Sequence, residues 1–261
     1  MKIREIIQVI EQVAPRPLQE SYDNAGVQVG NVENELTSAV ICLDVTEAVV
    51  DEAIELGANL ILSHHPLIFS GLKSLTGKNY IERSLIKAIN HGICIYSAHT
   101  NLDNAADGVN FMIASKLGLR DLAILDPKSQ SDQTVGSGVT GYLEEPMEEL
   151  QFLKELKSLF GCGCIKHSAP RGKEISKVAL CGGSASFLIP NAIATDADVY
   201  LTGEIKYHEY FGNDEKILLA ELGHYESEQF TIQLLAEIIT KKYPTFLYHY
   251  TKVNTNPINY L

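Results

Sequence analysis

Apolar residues at Ile3, Ile6, Ile7, Ile10 and Val13 recur three and four positions apart, the spacing that gives a helix one continuous apolar face. Pro15 and Pro17 end it, because neither can donate the backbone hydrogen bond that a continuing helix needs. After a polar, glycine-bearing stretch, the unbroken apolar run Ala39-Val40-Ile41-Cys42-Leu43 predicts a buried strand, closed by Asp44. Thr46 offers a side-chain oxygen to cap a helix that reaches Leu56, with Gly57 as its C-terminal stop. Asn59-Leu60-Ile61-Leu62 predicts a second strand that runs into Ser63-His64-His65-Pro66. A helix over Tyr80–Asn90 and a strand at Ile93-Cys94-Ile95-Tyr96 then lead to His99-Thr100-Asn101-Leu102-Asp103. Strands alternating with helices at this spacing predict parallel βαβ units.

The pattern recurs in the second half. An offset of 139 residues carries Cys42 onto Cys181, and also Ala58-Asn59-Leu60-Ile61-Leu62-Ser63 onto Ala197-Asp198-Val199-Tyr200-Leu201-Thr202. An offset of 125 pairs His99-x-x-x-Asp103 with His224-x-x-x-Glu228, which follows a strand over residues 216–220. The expectation is an α/β protein of two related lobes from an internal duplication, with mixed or parallel sheets flanked by helices. Residues 1–125 would form the first lobe and 126–261 the second, with the last helix and strand returning to the first. The polar segment 128–133 predicts a linker or exposed loop, and a helix bearing Leu150, Leu153, Leu156 and Leu159 predicts a sheet cover.

Composition narrows the class. With 261 residues, 45% apolar and 21% charged, the chain is long enough to bury a core without disulfides or other staples. Its 33 acidic and 21 basic side chains give a net charge of −12, and no basic run occurs, which disfavours nucleic acid as a partner. No window approaches a membrane span, and the start Met1-Lys2-Ile3-Arg4-Glu5 lacks the apolar core of a signal peptide, so a cytoplasmic location is expected. The five cysteines are an odd set, read as reduced structural thiols, and Cys162-Gly163-Cys164 has no second pair to complete a thiolate metal site.

Ligands of open α/β sheets bind beyond the carboxyl ends of the strands. There the chain places four of its eight histidines, His64, His65, His99 and His224, with the carboxylates Asp103 and Glu228. Imidazole nitrogen with carboxylate oxygen suits first-row divalent metals such as Zn, Mn, Fe or Ni, and the number of ligands exceeds one closed four-coordinate site. If His224 to Glu228 is helical, its two ends lie on one face. His64 and His65 would point oppositely along an extended backbone and converge only if the strand has turned, which Pro66 favours. Gly136-Ser137-Gly138-Val139-Thr140-Gly141 has dinucleotide-loop spacing but follows a polar stretch, so it reads as a glycine-bearing strand. The stretch Gly71 to Lys78 lacks the spacing of a phosphate loop, and Cys181-Gly182-Gly183-Ser184 is either a tight turn or an anion cradle.

Five segments together resemble the Nif-three-like family, whose members are often labelled GTP cyclohydrolase 1 type 2 homologues. They are Tyr22-Asp23-Asn24-Ala25-Gly26-Val27-Gln28-Val29-Gly30, Ser63-His64-His65-Pro66-Leu67-Ile68-Phe69, His99-Thr100-Asn101-Leu102-Asp103, Thr202-Gly203-Glu204-Ile205-Lys206-Tyr207-His208 and Gly223-His224-Tyr225-Glu226-Ser227-Glu228. The resemblance implies a two-domain α/β protein with a dinuclear metal site between the lobes, assembled as a ring-shaped homohexamer. It implies two divalent cations held by His64, His65, Asp103, His224 and Glu228, with Glu228 as the bridge. His99, Glu204 and His208 would line the cavity as catalytic residues, orienting a ligand or moving a proton. The implied activity is metal-dependent hydrolysis of a small molecule, a purine nucleotide by the family label. The alternative is a metal-handling or regulatory protein without turnover. Tyr22 stands where the family commonly has Trp, and the chain is read as a short form without an inserted domain.

Overall fold

The computed structural model describes residues 1–129, 131–213 and 215–261. The chain runs through α1 (Ile3–Val13), β1 (Gly26–Val29), β2 (Ala39–Cys42), α2 (Glu47–Glu55), β3 (Leu60–Ser63), α3 (Tyr80–Asn90), β4 (Cys94–Ser97) and α4 (Thr100–Asp103). It continues through α5 (Val109–Lys116), β5 (Arg120–Ser129), β6 (Asp132–Glu148), α6 (Glu149–Phe160), β7 (Lys166–His167), β8 (Glu174–Cys181), α7 (Ile189–Ala194), β9 (Val199–Thr202), β10 (Leu218–Glu221), α8 (His224–Glu228), α9 (Thr231–Lys242) and β11 (Tyr248–Tyr250). The architecture is mixed α/β, two sheets flanked by helices.

Contacts divide the chain into two units, one of Met1–Leu102 with Thr231–Pro257 and the other of Asp103–Phe230 with Ile258–Leu261. The sequence-based boundary at 125/126 falls elsewhere. The difference arises because β5 forms a long antiparallel pair with β6, and α5 packs on β6 and β8, so residues 103–125 belong with the second sheet. Segment 128–133 accordingly joins β5 to β6, with Ser129 paired to Asp132; Gln130 lies outside the described residues.

The first unit has the strand order β1-β4-β3-β2-β11. β2, β3 and β4 are parallel and in register at their carboxyl ends, Cys42 opposite Ser63 and Ser63 opposite Ser97. β1 joins β4 antiparallel, and β11 pairs parallel with β2, bringing the last strand into this sheet. Every residue of β2, β3 and β4 is buried, as unbroken apolar runs require of strands covered on both faces. Val40, Cys42, Ile61 and Ile95 pack with Val49, Val50 and Ala53 of α2 and Leu85 and Ala88 of α3. The opposite set, Ile41, Leu60 and Leu62, is fully buried too. Each such aliphatic side chain contributes roughly 1.5–3 kcal/mol of burial, which makes these short runs the anchor of the unit. The Thr46 hydroxyl accepts from Val49 N at 3.3 Å and caps α2. Gly71 to Lys78 winds onto the buried Glu82, whose carboxylate accepts from Thr76 N at 2.8 Å and Lys78 N at 3.2 Å. Those backbone donors outweigh burial and hold Glu82 at about 2, so this loop embraces the protein's own anion.

The second unit has the order β5-β6-β8-β9-β10-β7. Its parallel trio β8-β9-β10 ends level at Cys181, Thr202 and Glu221, flanked by antiparallel β6 and β7. The two sheets thus contain the same three-strand parallel unit, with Cys42 and Ser63 corresponding to Cys181 and Thr202 at the offset of 139. The core around α7 joins Leu188, Ile189 and Ala192 to Ala179, Tyr200 and Leu219. Residues 136–141, including the spaced glycines, lie inside β6. Cys42, Cys94, Cys162 and Cys181 are buried free thiols, and burial pushes Cys94 up to about 11 and Cys162 to about 12, so both stay neutral at pH 7. Among the described residues, neither Cys162 nor Cys164 joins a group of three metal-ligating side chains, and no helix is long and apolar enough to cross a membrane.

Candidate metal centre

In the first unit the site begins where β3 stops. His64 and His65 follow Ser63 directly, and their backbone N–H groups turn inward to Leu43 O at 3.2 and 3.0 Å. The chain has left the extended conformation, so the neighbouring rings do not splay: their centroids lie 4.8 Å apart. His99 enters from the end of β4, 5.3 Å from His64 and 5.4 Å from His65 between ring centroids. One ring nitrogen from each of the three lies within 4.8 Å of the others, a group able to hold a metal ion.

Each imidazole is fixed through Nδ1. His64, fully buried, donates to Ala98 O at 2.8 Å; because a carbonyl only accepts, the neutral ring carries its lone pair on Nε2. His65 Nδ1 lies 2.7 Å from Asp44 Oδ1, and His99 Nδ1 lies 2.7 Å from Asp23 Oδ1. Burial raises Asp23, yet hydrogen bonds from His99 and Thr100 prevail and hold it at about 2. Burial likewise opposes ionisation of Asp44, and the hydrogen bonds from His65 and Thr255 still keep it below the usual carboxylate range. Both carboxylates are therefore anionic at neutral pH and set ring orientation, as oxygen partners of metal-binding histidines do. Asp23 and Asp44 are the residues that sequence reasoning missed. Asp23 lies within the quoted first segment, and Asp44 occupies the carboxyl end of β2, so position on the strand-end edge was the available signal.

In the second unit α8 supplies the other set. His224 opens this short helix and Glu228 closes it, so the two lie on one face, His224 Nε2 3.2 Å from Glu228 Oε2. Glu204, just beyond β9, meets the other ring nitrogen, with Oε1 3.0 Å from His224 Nδ1. Asp103 closes α4, and its carbonyl accepts from Asn110 Nδ2 at 3.0 Å. Burial first, then the charges of Asp103 and Glu228, push the thiol of Cys181, at the end of β8, far above its ordinary value. The turn there resolves the Cys181-Gly182-Gly183-Ser184 alternatives. Gly183 has φ +65°, and a Cβ on it would lie 2.4 Å from Glu228 Oε1; the glycine makes room for the protein's own carboxylate. Ser227 Oγ accepts from Gly183 N at 3.0 Å and joins that turn to α8. His208 sits on an exposed 3₁₀ turn, Tyr207–Tyr210, packed with Tyr207 and Phe211 at centroid distances of 5.1 and 6.2 Å.

The donor sets fit divalent first-row metals: three oriented imidazoles in one unit, and an imidazole flanked by carboxylates in the other. The model of the family described as Duf34/NIF3 (NGG1p interacting factor 3) matches residues 1–257. The chain belongs to this family. Among its relatives, the GTP cyclohydrolase 1 type 2 homolog of Clostridium perfringens is 36% identical over 231 residues, 87% of each chain. That of Lactococcus lactis is 36% identical over 244 residues, 91% of each. Among solved structures, the Bacillus cereus protein related to NIF3 superposes with a TM-score of 0.91 at 25% identity, covering 100% of this chain and 99% of that one.

Proposed function

We propose that this chain is a metal-dependent hydrolase acting on a small molecule, and that His64, His65, Asp103, His224 and Glu228 are the residues that would hold two divalent cations, with Glu228 as the shared ligand. The observation that carries the proposal is the pair His64 and His65, anchored at Nδ1 to Ala98 O and Asp44, with His99 beside them and one nitrogen of each ring within 4.8 Å of the others. Three side chains oriented in this way exceed what packing requires. Divalent ions held there would supply Lewis acidity and a nucleophilic water at neutral pH.

The chain's own residues supply the rest. His99, oriented through Nδ1 by Asp23, is placed to accept and return a proton through its other ring nitrogen. Glu204 steadies His224 through Nδ1, and His208 on its exposed turn is available to orient substrate. The relatives' name, GTP cyclohydrolase 1 type 2 homolog, directs the substrate search to purine nucleotides.

The test is turnover. Protein reconstituted with Zn, Mn or Fe is expected to convert at least one member of a panel of nucleotides, phosphoesters and cyclic amides. His99→Ala should lower the rate about 10²-fold, within the range for a positioned acid–base group, and Glu204→Ala about 10- to 100-fold through lost orientation of His224, with His208→Ala lowering it through substrate placement. Metal retention without any turnover across the panel would contradict the hydrolase reading and leave a metal-handling protein.

A further inference from the structure

Two exposed aromatic rings stand beside the histidine group of the first unit, and the metal chemistry does not use them. Phe69 is 49% and Tyr22 62% exposed. The Phe69 ring meets His99 edge-on, 6.1 Å between centroids at 79°, and Tyr22 lies 6.3 Å from Phe69 at 47°. At that tilt the two rings do not cover one another as a parallel stack would, and each keeps about half or more of its surface in solvent.

What holds them is a closed set of hydrogen bonds between the loops that carry them. Asn24 Nδ2 donates to Ile68 O at 2.7 Å, Ile68 N donates to Gln28 Oε1 at 3.1 Å, and Gln28 Nε2 donates to Asn24 O at 2.7 Å. The amides of Asn24 and Gln28 thus tie residues 24–28 to Ile68, next to Phe69 in the chain. Asp23, between Tyr22 and Asn24, reaches back to His99. A single segment therefore orients a histidine of the site and fixes a pair of solvent-facing rings at its edge. Large exposed apolar side chains held rigidly at a polar site mark ligand contact, because neither core packing nor solubility asks for them.

We propose that Tyr22 and Phe69 form a stacking platform for a planar heteroaromatic ring of the substrate, and that Asn24 and Gln28 are the positioning residues that hold it open. The proposal rests on the hydrolase reading for its setting beside the metals and deepens it by naming the substrate class. A π-face accepts any base, so the platform selects for the presence of a ring rather than for one base over another.

The experiment is calorimetric binding of guanosine 5′-monophosphate, adenosine 5′-monophosphate and ribose 5-phosphate to the full chain, with metal content measured on the same samples. Both nucleotides should bind at least about tenfold more tightly than ribose 5-phosphate, as one base stacked on an aromatic ring provides. Tyr22→Ala and Phe69→Ala should each weaken nucleotide binding about tenfold while leaving ribose 5-phosphate affinity and metal content unchanged, and Phe69→Tyr should restore it. Asn24→Ala should fall between. Equal affinity for nucleotide and ribose 5-phosphate, binding unaffected by either alanine variant, or no binding of any probe overturns the platform. Rings that serve instead as a contact between copies would show as a smaller species on size exclusion for Phe69→Ala with nucleotide affinity intact, which also overturns it. Base-dependent binding in protein that takes up no metal would leave the platform standing and remove the hydrolase reading.

Discussion

His64→Ala is expected to abolish the stabilisation that divalent metal gives to the wild-type chain. His64 is fully buried at the end of β3, with Nδ1 committed to Ala98 O at 2.8 Å, which leaves Nε2 for the group it shares with His65 and His99. A metal at a hundred times its dissociation constant stabilises the state that binds it by about 2.7 kcal/mol. For a chain of this size that corresponds to a rise of about 5–10 °C in Tm. Thermal melts with and without Zn or Mn should show this rise in the wild type and little or none in His64→Ala. His65→Ala, at a more accessible ring, should lose it as well while melting close to the wild type without metal. A full metal-dependent shift in both variants would remove these histidines from the ligand set.

The second large effect is expected at Gly203, at the turn that follows β9. A Cβ there would lie 2.6 Å from Gly183 O, 2.8 Å from Ser227 Oγ and 2.9 Å from His224 Cα. Two of these are backbone atoms and cannot rotate away. Gly183 O is held in place, accepting from Gly203 N at 2.8 Å, Glu204 N at 3.2 Å and Thr202 Oγ1 at 3.0 Å. Gly203→Ala must therefore shift α8 or the Gly183 turn, an overpacking that costs about 1–3 kcal/mol. The expected result is a Tm about 2–10 °C lower, together with weakened metal uptake because His224 moves. Gly71→Ala, whose added methyl meets nothing within 4 Å, is the neutral control. Equal melting of the two variants would contradict the close packing of α8 on the strand-end turns.

The parallel trios were legible because each strand is a short, fully buried apolar run, and Thr46 announced its helix through a cap that the structure makes. The strand read at residues 136–141 lies inside β6, but its pairing with β5 was not legible, since the joining segment 128–133 is polar and reads as a linker or exposed loop. The unit boundary was hidden for a related reason: the chain passes from one unit to the next at Leu102–Asp103, inside α4, where no linker composition marks it. Pairing of β11 with β2 joins residues more than 200 positions apart, which no local pattern encodes. At the site, histidines and carboxylates at strand ends could be read directly from the order of elements. Their orienting partners could not, because Asp23 reaches His99 across 76 positions and Asp44 reaches His65 across 21. The sequence placed His99 among the proton-handling residues, and the structure adds that its ring nitrogen belongs to the same group as those of His64 and His65. Gly183 was readable as a turn, but that it makes room for Glu228 emerges only once α8 is packed against it.

The most direct test is elemental analysis of protein purified without chelator and dialysed against metal-free buffer, beside His64→Ala and Glu228→Gln prepared in the same way. About two equivalents of divalent first-row metal per wild-type chain are expected, with a marked loss in each variant. Wild-type protein that retains no metal, or variants that retain as much as the wild type, would contradict it.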